Sequence, residues 1–246
     1  MVERDAHYAD PRLVALYDAL NGWSPARDYY LALAHDRVRS AIDFGCGTGL
    51  LTARFAALGR RVVGVDPSPR MLEAARARDG AEGVEWRVGA VGAFEDGGRH
   101  DLAVMTGHAF QCLLTDAEID AAFANVAKLL RPGGLFAFET RNPAARAWER
   151  WRPEPSRTTG ELADGRRFEM RHDLLSVDGE LVAFETVYEI EGESPISSRS
   201  TLRFAGADHL VAAAKAAGLT LRHAHGDWDG SPLSDRSPEI IFAFSR

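Results

Sequence analysis

The sequence predicts an α/β protein: a parallel sheet with helices on both faces and a small antiparallel β insertion towards its C-terminal part. Three observations carry this. Short apolar runs alternate with helical stretches between residues 40 and 140. A glycine-rich loop in AIDFGCGTGL, residues 41–50, separates the first run from the first of those helices. After Asn142 the pattern becomes charged, and two strand-like runs flank Val177-Asp178-Gly179. Strands that alternate with helices need crossover connections, which makes the sheet parallel. Asp-Gly between strand-like runs signals a hairpin.

The elements follow in order. Helices are expected over 11–20 and 26–37, broken apart by Asn21-Gly22 and Ser24-Pro25. Residues 40–44 form a buried strand, and 50–58 a helix ended by Gly59. Residues 61–65 form the second strand, and 67–78 a helix with Pro67 in its first turn. The third and fourth strands span 84–88 and 101–105. Thr115 caps a helix whose core face is Ile119, Phe123, Val126, Ala127 and Leu130. Arg131-Pro132-Gly133-Gly134 turns into a fifth strand, 135–139. In the insertion, 167–176 and 180–190 form the hairpin and 197–204 a third strand. Residues 208–217 return to helix, capped by Gly218. Strands 219–225 and 240–244 close the chain, and the loop between them is too short for a crossover helix, so they pair antiparallel. The expected organisation is an N-terminal helical lid (1–39), a core (40–143 and 205–246) and an inserted β subdomain (144–204).

Composition bounds the partners. The 246 residues can bury a sizeable core. A net charge of −7 argues against a nucleic-acid partner, which usually faces a basic surface. Cys46 and Cys112 form no CxxC pair, so neither a zinc knuckle nor a disulfide framework is expected, and a reduced, cytoplasmic setting fits. The start, MVERDAHYADPR, has no apolar leader, and no apolar run is long enough to span a bilayer.

The glycine loop asks which ligand needs so bare a backbone beside a carboxylate. A phosphate loop would carry GxxxxGK[ST], and no lysine stands here. A dinucleotide loop would carry a third glycine where Leu50 stands. Glycines serving only a tight turn are the remaining alternative. DFGCGTG resembles the D/E-x-G-x-G-x-G loop of class I S-adenosylmethionine-dependent methyltransferases. That resemblance covers residues 40–140 well and 200–246 in part. It implies a Rossmann-like seven-stranded sheet of order 3-2-1-4-5-7-6 with strand seven antiparallel. It also implies S-adenosylmethionine as cofactor and S-adenosylhomocysteine as product.

The resemblance places Asp43, Gly45, Cys46 and Gly47 at the amino-acid end of the cofactor. Asp66, 23 residues after Asp43, would accept the ribose hydroxyls, although it can equally cap the helix before Pro67. Pro67 and Met71 would line the adenine side. The acid that often follows strand three for the adenine amino group is missing, and Ala90 and Val91 stand there instead. Thr106 follows strand four, where ligands of open α/β sheets sit. Tyr17 belongs to an aromatic N-terminal segment, with Tyr8, Trp23, Tyr29 and Tyr30, that would lie over the cofactor.

The chemistry expected is transfer of a methyl group to nitrogen or oxygen of a small-molecule acceptor. Positioning can supply most of the catalysis, and a base is needed only where the acceptor must lose a proton. His108 is the candidate base, Arg141 a candidate partner for an acceptor carboxylate or phosphate, and Trp148 a candidate pocket wall. No [ND]-P-P-[YFW] follows strand four and Cys112 follows no proline, which sets aside adenine-amino and cytosine-carbon methylation. His223 and His225 share a strand face near Asp227 and Asp229, yet no metal site is expected. A monomer or a homodimer fits equally. Rival readings are a cofactor-binding protein without transferase activity and a nucleotide-dependent oxidoreductase.

Overall fold

The computed structural model describes residue 8, residues 10–162 and residues 164–246. The first seven residues of the expected lid and leader-free start lie outside the described residues.

Seven strands form one sheet in the order β10-β11-β5-β4-β1-β2-β3. They are β1 (Ser40–Phe44), β2 (Arg61–Asp66), β3 (Val84–Val88), β4 (His100–Met105), β5 (Leu130–Arg141), β10 (Thr220–His225) and β11 (Glu239–Ser245). Strands β1 to β5 run parallel, and β11 pairs antiparallel with both β5 and β10. This is the expected order, with β11 as the antiparallel seventh strand. All of β1 is buried because helices cover both faces of the sheet at its centre. Edge strand β3 is mostly exposed.

The helices are α1 (Pro11–Leu20), α2 (Pro25–Leu33), α3 (Leu50–Ala57), α4 (Pro69–Arg76), α5 (Asp116–Leu129) and α6 (Ala207–Ala216). Three boundaries move from expectation. Helix α2 stops at Leu33, where Ala34 N–H bonds back to the Leu31 carbonyl and tightens the last turn. Helix α4 starts after Pro67, because Ser68 is the cap whose hydroxyl accepts Met71 N–H. Leu130 leaves the helix and begins β5, which runs through the residues expected to be a separate turn. Helix α5 opens on a reciprocal capping box between Thr115 and Glu118.

Residues 144–204 carry a second, four-stranded antiparallel sheet, β6 (Thr158–Glu161), β7 (Arg167–Asp178), β8 (Leu181–Ile190) and β9 (Ile196–Arg203). The hairpin and third strand were legible; β6, short and centred on Thr-Gly, was not. Helix α1 joins the two sheets. Leu13 and Leu16 pack with Phe168, Tyr188, Ile190 and Ile196 of the small sheet. On the same helix, Tyr17 lies against Gly47, while Asp18 bonds Thr48 at 2.5 Å and pairs with Arg78.

The core beneath β4, β5 and β11 is aromatic. Phe110 stacks on Phe138 with centroids 4.1 Å apart, and Phe123, Phe136, Phe242 and Phe244 complete the cluster. Burying each such ring stabilises the fold by about 1.5–3 kcal/mol. Phe110 belongs to the short 3-10 turn Ala109–Cys112 after β4, so the core pins the turn that carries His108 into the site.

Candidate active site

Two adjoining cavities open at the carboxyl ends of the parallel strands, the ligand position of open α/β sheets. The first, of 320 Å³, is walled by Gly45 and Gly47, Asp66 to Ser68, Gly89 to Val91, Met105 to Gly107, and Tyr17. The second, of 280 Å³, lies between the turn after β4 and the small sheet. Tyr8, Gly107 and Cys112 line both.

The first cavity is built largely from backbone. Gly45 has φ +67°, and a Cβ there would stand 2.8 Å from Ala109 Cβ. Gly47 has φ +56° and lies 3.5 Å, measured from its ideal Cβ, from the Tyr17 ring. Both positions therefore need glycine for conformation, and Gly45 also for space. Asp66 fixes the loop: its Oδ2 accepts Gly47 N–H at 2.9 Å and its Oδ1 accepts Ser68 N–H at 2.8 Å. Burial raises its pKa, and those two amide bonds oppose the rise. Each carboxylate oxygen keeps a lone pair beyond its amide bond. Burial also pushes the Tyr17 phenol up to about 12, with the Asp66 charge adding to it, so Tyr17 stays protonated. Among the described residues, the walls carry two carboxylates, Asp66 and Glu118, and no lysine or arginine.

Tyr17, Gly45, Gly47, Asp66, Pro67, Ala90, Val91 and Thr106 are brought together on the wall of this cavity. Asp43, Cys46 and Met71 are not. Asp43 is 1% exposed and sits behind the loop, its Oδ2 accepting the Thr52 hydroxyl at 2.6 Å. Cys46 donates its backbone N–H to Val65 and does not line the cavity. Met71 is wholly buried on the inner face of α4.

The second cavity is built from side chains. His108 has a left-handed backbone, φ +60°, held by its N–H donating to Glu139 Oε1 at 2.9 Å. Its ring Nε2 lies 2.9 Å from Glu239 Oε2. Glu139 is itself anchored by the Tyr30 hydroxyl, which donates to Oε2. Arg141 lies opposite Glu239 in the β5–β11 register. Its Nη1 donates to Gln111 Oε1 at 2.9 Å, and its guanidinium lies 5.5 Å from the centre of the Trp151 ring. Burial lowers its pKa, with Glu239 and Glu139 opposing, and no carboxylate of a described residue pairs with it within 4.0 Å. From the small sheet come Met170, His172, Phe184, Thr186 and Tyr188. Trp148 does not reach this cavity; at 9% exposed it packs edge-on against Phe204, 4.5 Å between centroids, and anchors the insertion.

Sequence reading missed Glu239, Glu139 and Gln111. Glu239 follows Pro238 at the start of a strand whose antiparallel pairing was expected, and that register alone brings it beside the β5 end. His223 and His225 stack at 4.3 Å, with His223 bonded to Tyr29, and neither lines either cavity.

Residues 41–134 match the family described as "Methyltransferase domain". The fold is that of the class I methyltransferases. The chain is 26% identical over 215 residues to a cypemycin N-terminal methyltransferase from a Streptomyces species, covering 85% of this chain and 83% of that one. It is 33% identical over 103 residues to a ubiquinone biosynthesis O-methyltransferase of Bradyrhizobium sp. (strain ORS 278), spanning 41% of this chain and only 39% of that protein. Among solved structures, a SAM-bound amino pentose methyltransferase of Micromonospora echinaspora superposes with TM-score 0.72 at 24% identity, over 94% of this chain and 96% of that one. The methyltransferase domain match ends in β5 and contains the glycine loop and Asp66; the small sheet lies outside it. Among the described residues, no helix is long and apolar enough to cross a membrane.

Proposed function

We propose that this chain transfers a methyl group from S-adenosylmethionine to nitrogen or oxygen of a small-molecule acceptor and releases S-adenosylhomocysteine. The observation that carries this reading is the junction of the two cavities at Gly107 and Cys112, beside His108. The first cavity suits the cofactor. Among the described residues its walls offer carboxylates and backbone groups and no lysine or arginine, which fits a cationic ligand without phosphates. When bound, the cofactor supplies a methyl group already activated on a sulfonium.

The protein's own residues do the rest. Gly45 and Gly47 allow close approach, Asp66 receives hydroxyl donors, and Tyr17 covers the loop from α1. Pro67, Ala90, Val91 and Thr106 complete the wall. Asp43, Cys46 and Met71 support that wall from behind. Acceptance of the Nε2 proton by Glu239 leaves His108 Nδ1 free to take a proton from the acceptor. Arg141 holds an anionic group of the acceptor, and Gln111 orients it. Trp148 acts through packing of the insertion. One relative is named for O-methylation, and two similar solved structures are named as a sugar and a glycopeptide N-methyltransferase, which supports those two acceptor atoms. We infer also that the protein works in the cytoplasm, as a monomer or a homodimer, on a small molecule rather than on nucleic acid or at a membrane.

The test is release of S-adenosylhomocysteine from S-adenosylmethionine with a panel of small amines, phenols and sugars bearing a carboxylate or phosphate. Turnover with one class is the expected result. Tight cofactor binding with no turnover on any of them would support a binding protein instead.

A further inference from the structure

The loop after β3 lacks the acid that the family resemblance led one to expect there, yet the first cavity holds a second carboxylate besides Asp66. Glu118 lines the wall that Ala90, Val91 and Leu113 also line. Helix α5 is clamped to that loop. Asn125 Nδ2 donates to the carbonyls of Val91 and Phe94, both at 2.8 Å, and an ideal Cβ on Gly92 would meet Ala121 at 3.0 Å. Glu118 lies one turn before Ala121 on the same helix, at the mouth of the same loop.

Its two oxygens are used unequally. Oε2 accepts the N–H groups of Leu114 and Thr115, each at 2.9 Å, and the Thr115 hydroxyl at 3.0 Å. Oε1 has no hydrogen-bond or ion-pair partner among the described residues. The capping box therefore fixes the carboxylate while leaving one acceptor uncommitted on a residue that lines the cavity.

We propose that Glu118, from the start of α5, accepts the exocyclic amino group of the cofactor's purine and takes over the task of the acid missing after β3. The inference rests on the S-adenosylmethionine reading of this cavity. Glu118 is then a specificity residue: it favours a 6-amino purine over a 6-oxo purine, whose oxygen would face a carboxylate.

The substitution Glu118→Gln tests it. The cap needs an oxygen towards Leu114 and Thr115, so the amide nitrogen takes the place of Oε1. A donor then faces the amino group, and the same donor suits a 6-oxo group. Calorimetric titration would compare S-adenosylhomocysteine with S-inosylhomocysteine on both proteins, with circular dichroism confirming the fold. Wild type is expected to favour the adenosyl ligand by about tenfold or more, and Glu118→Gln to collapse or invert that preference. Tight adenosyl binding with the same preference in both proteins would overturn the role of Glu118 and leave the cofactor reading standing. Failure of wild type to bind either ligand would overturn both.

Discussion

The two cavities differ in what they are made of. The first is mainly a turn of main chain: glycines with positive φ, amide groups tied to Asp66, and one ring laid across them. The second is a meeting of side chains from distant parts of the chain, with His108 after β4, Arg141 on β5 and His172 on β7 on its wall and Glu239 of β11 bonded to His108. A backbone site is written in a short motif because few residues tolerate its conformation. A side-chain site is written only in the tertiary fold. The first cavity constrains a ligand by shape, whereas the second constrains it by charge and by proton position.

The largest effect should come from removing the clasp of the first cavity. Asp66→Ala deletes two amide hydrogen bonds to a charged group and the acceptor facing the cavity. Two ligand hydroxyls donating to the carboxylate would contribute about 1.5–3 kcal/mol each, so losing both predicts a drop in S-adenosylmethionine affinity of roughly 10²–10⁴-fold. Calorimetry reads this directly. A loss under tenfold would mean that Asp66 shapes the loop and does not receive the ligand's hydroxyls.

On the acceptor side, His108→Asn tests proton transfer without disturbing the turn, since asparagine tolerates the left-handed backbone. The expected outcome is a fall in kcat of about 10²–10⁴-fold with cofactor affinity unchanged. A fall below threefold would make positioning the whole of the catalysis. Arg141→Met should act more mildly and elsewhere. Loss of one charge-assisted hydrogen bond predicts a rise in acceptor KM of about 10–100-fold for acidic acceptors. Equal loss with neutral acceptors would show that Arg141 supports the fold and not the substrate.

Legibility followed the same division. The alternation of strands with helices, the glycine loop and Asp66 could be read because they are local features; the sheet order followed only from the resemblance to class I methyltransferases. Glu239 could not be read, because it meets His108, 131 residues away in sequence, only after β11 has paired with β5. Trp148 misled for a related reason. A tryptophan in a charged insertion suits a pocket wall or an anchor equally until Phe204 and Val182 are seen beside it. Met71 misled because its place on α4 was right and its face was not. Strand β6 escaped notice because four residues centred on Thr-Gly show no period.

Asp43 allows the comparison to be sharpened within one motif. It opens the glycine loop in sequence, yet it lies behind the cavity wall, with Oδ1 buried and without a partner among the described residues. Burial pushes its pKa up to about 7, against the pull of the Thr52 hydroxyl, with the Asp66 charge adding to the rise. The folded protein thus keeps a proton on Asp43 up to about pH 7, whereas an unfolded chain releases it near 3.9. Between those values the folded state binds more protons, so stability present below the unfolded value is lost as pH rises to neutral. The slope is at most about 1.4 kcal/mol per pH unit, which in a chain of this size shifts Tm by roughly 3–6 °C per unit. Asp43→Asn keeps an acceptor for Thr52 and cannot ionise. Thermal melts of ligand-free protein at pH 5, 6 and 7 should therefore show a flatter decline for the variant, and its cofactor affinity should fall far less than that of Asp66→Ala. An unchanged slope would mean that Asp43 is already ionised in the folded protein, whereas a loss of affinity equal to that of Asp66→Ala would place Asp43 among the groups that hold the ligand and erase the distinction between the motif and the cavity wall.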